Sequence, residues 1–219
     1  MTYRVRLMRK EDVPQVTDID HEAFASWWPL TNYEHELENR MAHYIVAYDD
    51  TEKYVELERE EKGLSRLTSK VKEIFVRSEP QQPPAPQDKI VGFAGFWIMA
   101  GEAHIISIAV RTAYRGKGIG ELILAHLIDH AAFLGAEVVT LEARVSNTIA
   151  QNLYLKYGFK KVGIRYGYYT DNREDAVIMT TDTLASVPYQ QKFKRLKQEY
   201  TKKTGVEFAN LSIRTQTQP

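Results

Sequence analysis

The sequence predicts an α/β protein, and three observations carry that prediction. Short runs such as Tyr3, Val5 and Leu7 alternate with polar residues, here Arg4 and Arg6, which is the period of a half-buried strand. Other stretches repeat their apolar residues at three and four, the spacing of a helix with one buried face. Near residue 110 an apolar strand runs directly into a glycine-rich turn and then an apolar helix, a junction expected where strands and helices alternate along the chain.

The elements follow in order. After the strand at 3–7, Asp12 precedes Val13, Val16, Ile19 and Phe24 at helical spacing. Thr31 and Glu34 have the pattern of a capping box ahead of Tyr33, Leu37 and Met41, so a second short helix is expected, joined to the first by the turn Ser26-Trp27-Trp28-Pro29. Residues 43–48 read as the second strand, and 90–100 with 104–110 as a hairpin turning at Gly101-Glu102. Residues 118–134 form a strongly apolar helix, 138–143 a buried strand, and 147–157 a helix stopped by Gly158. Strands at 160–168 and 174–180 close the unit around Asp171-Asn172-Arg173, giving the order β-α-α-β-β-β-α-β-α-β-β.

Two segments stand outside this unit of about 140 residues. Residues 51–88 interrupt it with 15 charged side chains, an amphipathic helical pattern at Leu64, Leu67, Val71 and Ile74, and a proline-rich linker over 78–87. Residues 181–219 form a basic extension with one helix carrying Phe193, Leu196 and Tyr200. The organisation expected is therefore one domain over 1–180, interrupted at 51–88, with a C-terminal extension over 181–219. The insertion's apolar face is expected to pack on the tail helix or on a partner chain.

Composition narrows the chemistry. Across 219 residues, 29 Lys and Arg balance 29 Asp and Glu, which argues against coating nucleic acid or a polybasic hold on membranes. The balance is a cancellation, since residues 1–50 carry −5, 51–88 carry −1, 89–180 carry +2 and 181–219 carry +4. The absence of cysteine excludes a thiolate nucleophile, disulfides and Cys-ligated metal. The first residues lack the apolar core of a signal peptide, and the longest apolar run, 90–100, is half the ~20 residues a spanning helix needs, so a soluble cytoplasmic protein is expected.

The sharpest motif is Ile108-Ala109-Val110-Arg111-Thr112-Ala113-Tyr114-Arg115-Gly116-Lys117-Gly118-Ile119-Gly120. Glycines let the backbone close on a ligand, and the free N–H groups of a first helical turn make an anion site that suits a pyrophosphate. The spacing is not that of a P-loop, because Lys117 is followed by glycine, nor of a G-x-G-x-x-G dinucleotide turn. His126 and His130 lie four apart, but Leu127 stands where a zinc protease needs glutamate; no metal is expected, and both read as surface histidines.

Arg115-Gly116-Lys117-Gly118-Ile119-Gly120 matches the R/Q-x-x-G-x-G/A motif of the GCN5-related N-acetyltransferases, and Ile108-Ala109-Val110 is similar to that family's fourth strand. Leu141-Glu142-Ala143-Arg144-Val145-Ser146-Asn147, then Ala150, Leu153-Tyr154, Gly158-Phe159, Gly163, Arg165, Tyr168-Tyr169 and Glu174-Asp175-Ala176 resemble the branch that acetylates ribosomal-protein alanine N-termini. The resemblance spans roughly residues 3–50 and 89–180. It implies a mixed, mostly antiparallel sheet splayed between the fourth and fifth strands, with helices on both faces.

It also implies acetyl-CoA as co-substrate and a protein or peptide N-terminus as acceptor, a ribosomal protein among the candidates. By residue, it implies that Ile108, Ala109 and Val110 polarise the acetyl carbonyl through backbone amides and that the 115–120 loop holds the phosphates. Asn147 would bond the pantetheine arm, Glu142 would be the general base and Tyr154 the general acid. Trp27, Trp28, Tyr168 and Tyr169 would wall the peptide groove. From the residues alone, Glu142 could instead pair with Arg144 or Arg165, Asn147 could cap its helix, and Tyr154 could serve packing. Two rival functions stand beside this one: transfer to a small amine or lysine side chain, and a non-catalytic acyl-CoA-binding or scaffolding module.

Overall fold

The computed structural model describes residues 2–24, 31–54, 87–208 and 211. Seven strands form one sheet: β1 (Tyr3–Leu7), β2 (Ala42–Tyr54), β3 (Gln87–Met99), β4 (Glu102–Val110), β5 (Val138–Arg144), β6 (Phe159–Tyr169) and β7 (Glu174–Thr181). The helices are α1 (Val13–Ala23), α2 (Tyr33–Glu38), α3 (Ile119–Phe133), α4 (Thr148–Lys156) and α5 (Val187–Thr204). Strand order is β1-β2-β3-β4-β5-β7-β6, with every neighbouring pair antiparallel except β4–β5. The mixed sheet expected from the resemblance is the sheet observed.

Local details differ in instructive ways. The β3–β4 hairpin turns at Ala100-Gly101, one residue earlier than expected; both have positive φ (51° and 82°), the mirror-image turn that matches strand twist. The cap of α2 is Asn32, whose side chain accepts from the His35 N–H at 3.1 Å. It displaces the expected Thr31–Glu34 box because asparagine's longer side chain serves the same orphan donors one residue later. The turn at 26–29, the 64–74 helical face and the linker at 78–86 lie outside the described residues. Gln87, the linker's expected last residue, is already in β3, paired with Tyr54.

Where β3 begins, its backbone is tied down by polar groups. Asp88 accepts from Arg6 Nε at 3.1 Å and from Lys53 Nζ at 2.9 Å, while the Gln15 carboxamide bonds both Asp88 O and the Ile90 N–H. Arg6 in turn grips buried Asp12 with two bonds of 2.6 and 2.8 Å. Bidentate geometry of this kind offsets the cost of burying the charges and fixes β1, the start of α1 and the start of β3 against each other.

Two cores lie on opposite faces of the sheet. α1 and α2 cover one, with Val16, Ile19, Tyr33, Tyr44 and Phe93 buried there. On the other, α3 lies across the strands and is itself covered by α5, whose Tyr189, Phe193, Leu196 and Tyr200 join the same cluster. That second cover explains why α3 is apolar around its whole circumference, since a helix with one wet face would be two-sided. The helix of the C-terminal extension is thus packed into the main core.

It also corrects the histidines. His126 and His130 are 2% and 7% exposed, because residues after α5 and the edge of β3 close over them: Phe208 stacks on His126 at 5.0 Å, and His130 meets Phe96 and His43 at 5.8 and 5.7 Å. Burial, with a smaller push from His43, lowers His130 to about 4. A base held below its unfolded value of 6.5 makes the unfolded chain bind the extra proton, so stability falls as pH drops from about 6.5 to about 4. Denaturant melts at pH 7.0 and 4.5 should show a loss of up to about 3 kcal/mol from this group, and His130→Leu should shrink the difference by that amount.

Candidate active site

The site forms where the two parallel strands part. β4 and β5 pair only from Glu102↔Val138 to Ile105↔Leu141. At that point β4 carries a bulge: Ile105 faces Phe96 and Ser107 faces Gly95 across β3, leaving Ile106 without a counterpart. A bulge bends its strand and increases its twist, so β4 leaves β5 while staying with β3. From Glu142 onward β5 pairs with β7 alone.

The parting frees specific backbone groups. The Arg111 N–H donates to Val91 O at 2.9 Å, which sets the phase of the β3–β4 ladder. Donors alternate along a strand, so the N–H of Ala109 turns toward β3, while those of Ile108 and Val110 turn toward the gap. Of the three residues expected to polarise a carbonyl, two present amides there and the third is spent in the sheet. Beyond Val110 a short 3-10 turn, Thr112–Tyr114, leads to Arg115, Gly116, Lys117 and Gly118 and into α3. Gly118 is the helix N-cap with φ +83° and gives the first turn no side-chain cap, so the leading N–H groups, including those of Ile119 and Gly120, are left to a ligand.

A cavity of about 480 Å³ opens in the gap. Among its lining residues are Ile108, Glu142, Asn147, Tyr154, Tyr168 and Tyr169, six of the residues singled out from sequence. Ala109, Val110 and the 115–120 loop are not in that lining; the loop lies beyond the end of β4. Trp27 and Trp28 lie outside the described residues.

Glu142 sits at the point of divergence with its side chain 5% exposed. Its carboxylate accepts from His104 Nε2 at 2.9 Å and from Arg165 at 3.0 Å. Burial alone would raise its pKa, but the His104 hydrogen bond and the charges of His104 and Arg165 outweigh it and hold the group below 4.5. The Arg165 pairing was legible as an alternative from sequence. His104 was not, since only the β4–β5 register brings it beside Glu142.

Tyr154 is buried on α4, its ring 5.6 Å from that of Phe159. Burial, and secondarily Tyr169, raises its phenol above the ordinary tyrosine value, so it remains a proton donor at neutral pH. Asn147 caps α4 through its oxygen, which accepts the Ala150 N–H at 3.2 Å; that bond leaves the amide hydrogens for other use. The β6–β7 loop is fixed to the end of β5 by Arg144, which bonds Asp171 at 2.7 Å and Glu174 at 3.1 Å and lies 3.9 Å over the Tyr169 ring. Glu174 also accepts the Ser146 N–H at 2.7 Å.

The opposite end of the cavity is acidic. Asp20 accepts from Tyr33 Oη at 2.8 Å, and Glu36 from Tyr44 Oη at 3.1 Å and Trp97 Nε1 at 2.7 Å. All these donors are neutral, and neither carboxylate has an ion-pair partner within 4 Å among the described residues; burial raises the pKa of Asp20, against the smaller opposing effects of the Tyr33 hydrogen bond and His21. Sequence reading missed this end because its members come from α1, α2, β2 and β3 and share no motif. No cluster of His, Asp and Glu that could hold a metal occurs among the described residues. Nor is any described helix long and apolar enough to cross a membrane.

Replacing Arg144 with alanine removes both ion pairs and the stack on Tyr169. We expect a melting temperature lower by a few degrees and a peptide KM raised several-fold, with acetyl-CoA affinity unaltered; thermal melts and steady-state kinetics check this.

Comparison with known proteins gives the same picture. The acetyltransferase (GNAT) family matches residues 52–159. A Bacillus subtilis (strain 168) protein provisionally named ribosomal protein bS18-alanine N-acetyltransferase is 34% identical over 176 residues, covering 80% of this chain and 92% of that one. An N-alpha-acetyltransferase of Sulfurisphaera tokodaii is 34% identical over 180 residues, covering 81% and 91%. In fold, the chain is similar to the crystal structure of the ribosomal-protein-S18-alanine N-acetyltransferase from Escherichia coli, with a TM-score of 0.61 at 24% identity over 85% of this chain and 97% of that one.

Proposed function

We propose that this chain, which belongs to the acetyltransferase (GNAT) family, transfers acetyl from acetyl-CoA to the N-terminal α-amine of a protein. The names of its two relatives support an N-terminal acceptor, and that of the Bacillus relative points to the alanine terminus of ribosomal protein bS18. A ribosomal acceptor would place the reaction in the cytoplasm. The observation that carries the reading is that a carboxylate, a phenol and the outward-turned Ile108 strand residue meet at one cavity.

The residues divide the chemistry. The acetyl carbonyl accepts from the free amide of Ile108, which stabilises the charge that grows on its oxygen as the amine attacks, while the Val110 amide, two residues further along β4, is left for the rest of the acyl-CoA. An α-ammonium has a pKa of roughly 8, so a proton must leave before or during attack. Glu142 takes it, directly or through water, with His104 hydrogen-bonded to the carboxylate at 2.9 Å. The C–S bond then breaks, Tyr154 gives its proton to the leaving sulfur, and the second proton that the acylated nitrogen must lose restores the phenol through water. No cysteine is present to form an acyl-enzyme by thiolate attack, in keeping with direct transfer between two bound substrates. The phosphates of acetyl-CoA rest on the amides of the 116–120 loop, with Arg115 and Lys117 near them, and Asn147 bonds the pantetheine arm.

The acidic end gives the acceptor its character. Asp20 and Glu36 favour an acceptor that brings positive charge, first its own ammonium group. Tyr168 and Tyr169, stacked edge to face at 5.2 Å, form the opposite wall.

Incubation with acetyl-CoA and peptides varied over their first residues, followed by mass spectrometry, should place the label on the α-nitrogen; label only on lysine ε-nitrogens would refute the reading. Glu142→Gln and Tyr154→Phe should each lower kcat by about 10²-fold or more while leaving acetyl-CoA affinity within about twofold. Because Glu142 is held below 4.5, the rate should rise with pH toward about 8 with the amine and not with this carboxylate.

A further inference from the structure

We infer that Tyr200, in the C-terminal helix α5, is a positioning residue for acyl-CoA: it sets the direction of a loop amide that receives the pyrophosphate. The inference rests on the acetyl-CoA reading above and extends it to a segment beyond the expected catalytic unit. The Tyr200 hydroxyl donates to Gly118 O at 3.2 Å, and the same oxygen accepts the Leu122 N–H at 3.1 Å. Gly118 O and the Ile119 N–H belong to one planar peptide unit and point in opposite directions. Two donors holding the carbonyl inward therefore hold the Ile119 N–H outward, at the end of α3 where the helix dipole favours an anion.

The surroundings make Tyr200 a rigid support. It is 4% exposed, its ring meets Phe208 at 5.5 Å, and its own carbonyl accepts the Thr204 hydroxyl at 2.9 Å. Gly118 has φ +83°, which favours glycine, and the tyrosine ring lies within van der Waals contact of it, 3.4 Å from where a Cβ would stand. At the other end of α5, Tyr189 donates to Tyr157 O at 3.2 Å beside Gly158, at the C-terminus of α4 and away from the loop. Two similar bonds thus tie one helix to the body of the protein, and only one of them touches the loop.

That symmetry supplies the control. Tyr200→Phe and Tyr189→Phe each remove one hydroxyl bond and keep the ring. Binding of acetyl-CoA and of S-acetylpantetheine, which lacks the pyrophosphate, is measured by calorimetry on the full chain, alongside thermal melts and kcat at saturating acetyl-CoA. For Tyr200→Phe we expect acetyl-CoA Kd to rise about three- to tenfold, with S-acetylpantetheine affinity and kcat unchanged. Tyr189→Phe should leave both affinities at the wild-type value. An unchanged acetyl-CoA Kd in Tyr200→Phe, an equal loss for both ligands, or an equal loss in Tyr189→Phe would overturn the inference while leaving the acetyltransferase reading intact. Wild-type protein that binds no acetyl-CoA would overturn both.

Discussion

Everything the site does depends on where the pairing between β4 and β5 stops. Four residue pairs hold the two parallel strands together, and the bulge at Ile106 then sends β4 away. Amides that a continuous sheet would consume are left out of the ladder, with Ile108 at the cavity. The same divergence puts Glu142 at the mouth of the gap, where a buried carboxylate can find partners from both sides: His104 from β4 and Arg165 from β6. Strand geometry thus leaves backbone amides unpaired and places a buried carboxylate with the same departure from regularity.

The remaining structure holds that departure open. α1 and α2 fill one face of the sheet and α3 the other. The glycine-rich turn at 115–118 runs into the first turn of α3, so the placement of that helix against the sheet decides where the turn lies. The outer surface of α3 is covered by α5, and this double burial makes the C-terminal segment part of the same cooperative core. The Arg144 cluster performs the analogous task for the β6–β7 loop, fixing the wall that bears Tyr168 and Tyr169.

The sequence was most readable where chemistry and backbone coincide in one short segment. The 108–120 stretch announced strand, turn and helix because glycines, a basic pair and an apolar run sit side by side, and Gly158 ended its helix at φ +89° as its position required. Less readable were features assembled from distant residues. His104 reaches Glu142 through a parallel register that no local pattern encodes, and the acidic end draws Asp20, Glu36, Tyr44 and Trp97 from four elements. His126 and His130 looked exposed because a histidine on a helix says nothing about what covers it; the cover comes from about 80 residues later and from β3. The bulge at Ile106 carries no glycine or proline to mark it in Ile105-Ile106-Ser107-Ile108, yet it is the feature on which the site turns.

The central claim is that a free β4 amide, that of Ile108 beside the cavity, bonds the thioester oxygen in the gap between β4 and β5. Infrared difference spectra of the protein with acetyl-CoA labelled with carbon-13 at the carbonyl report that bond directly, free of any contribution from turnover. The account predicts a thioester carbonyl band shifted to lower frequency than that of free acetyl-CoA, and narrowed, because a fixed donor polarises the bond and holds one geometry. A bound ligand whose carbonyl band stays at the free frequency would contradict it.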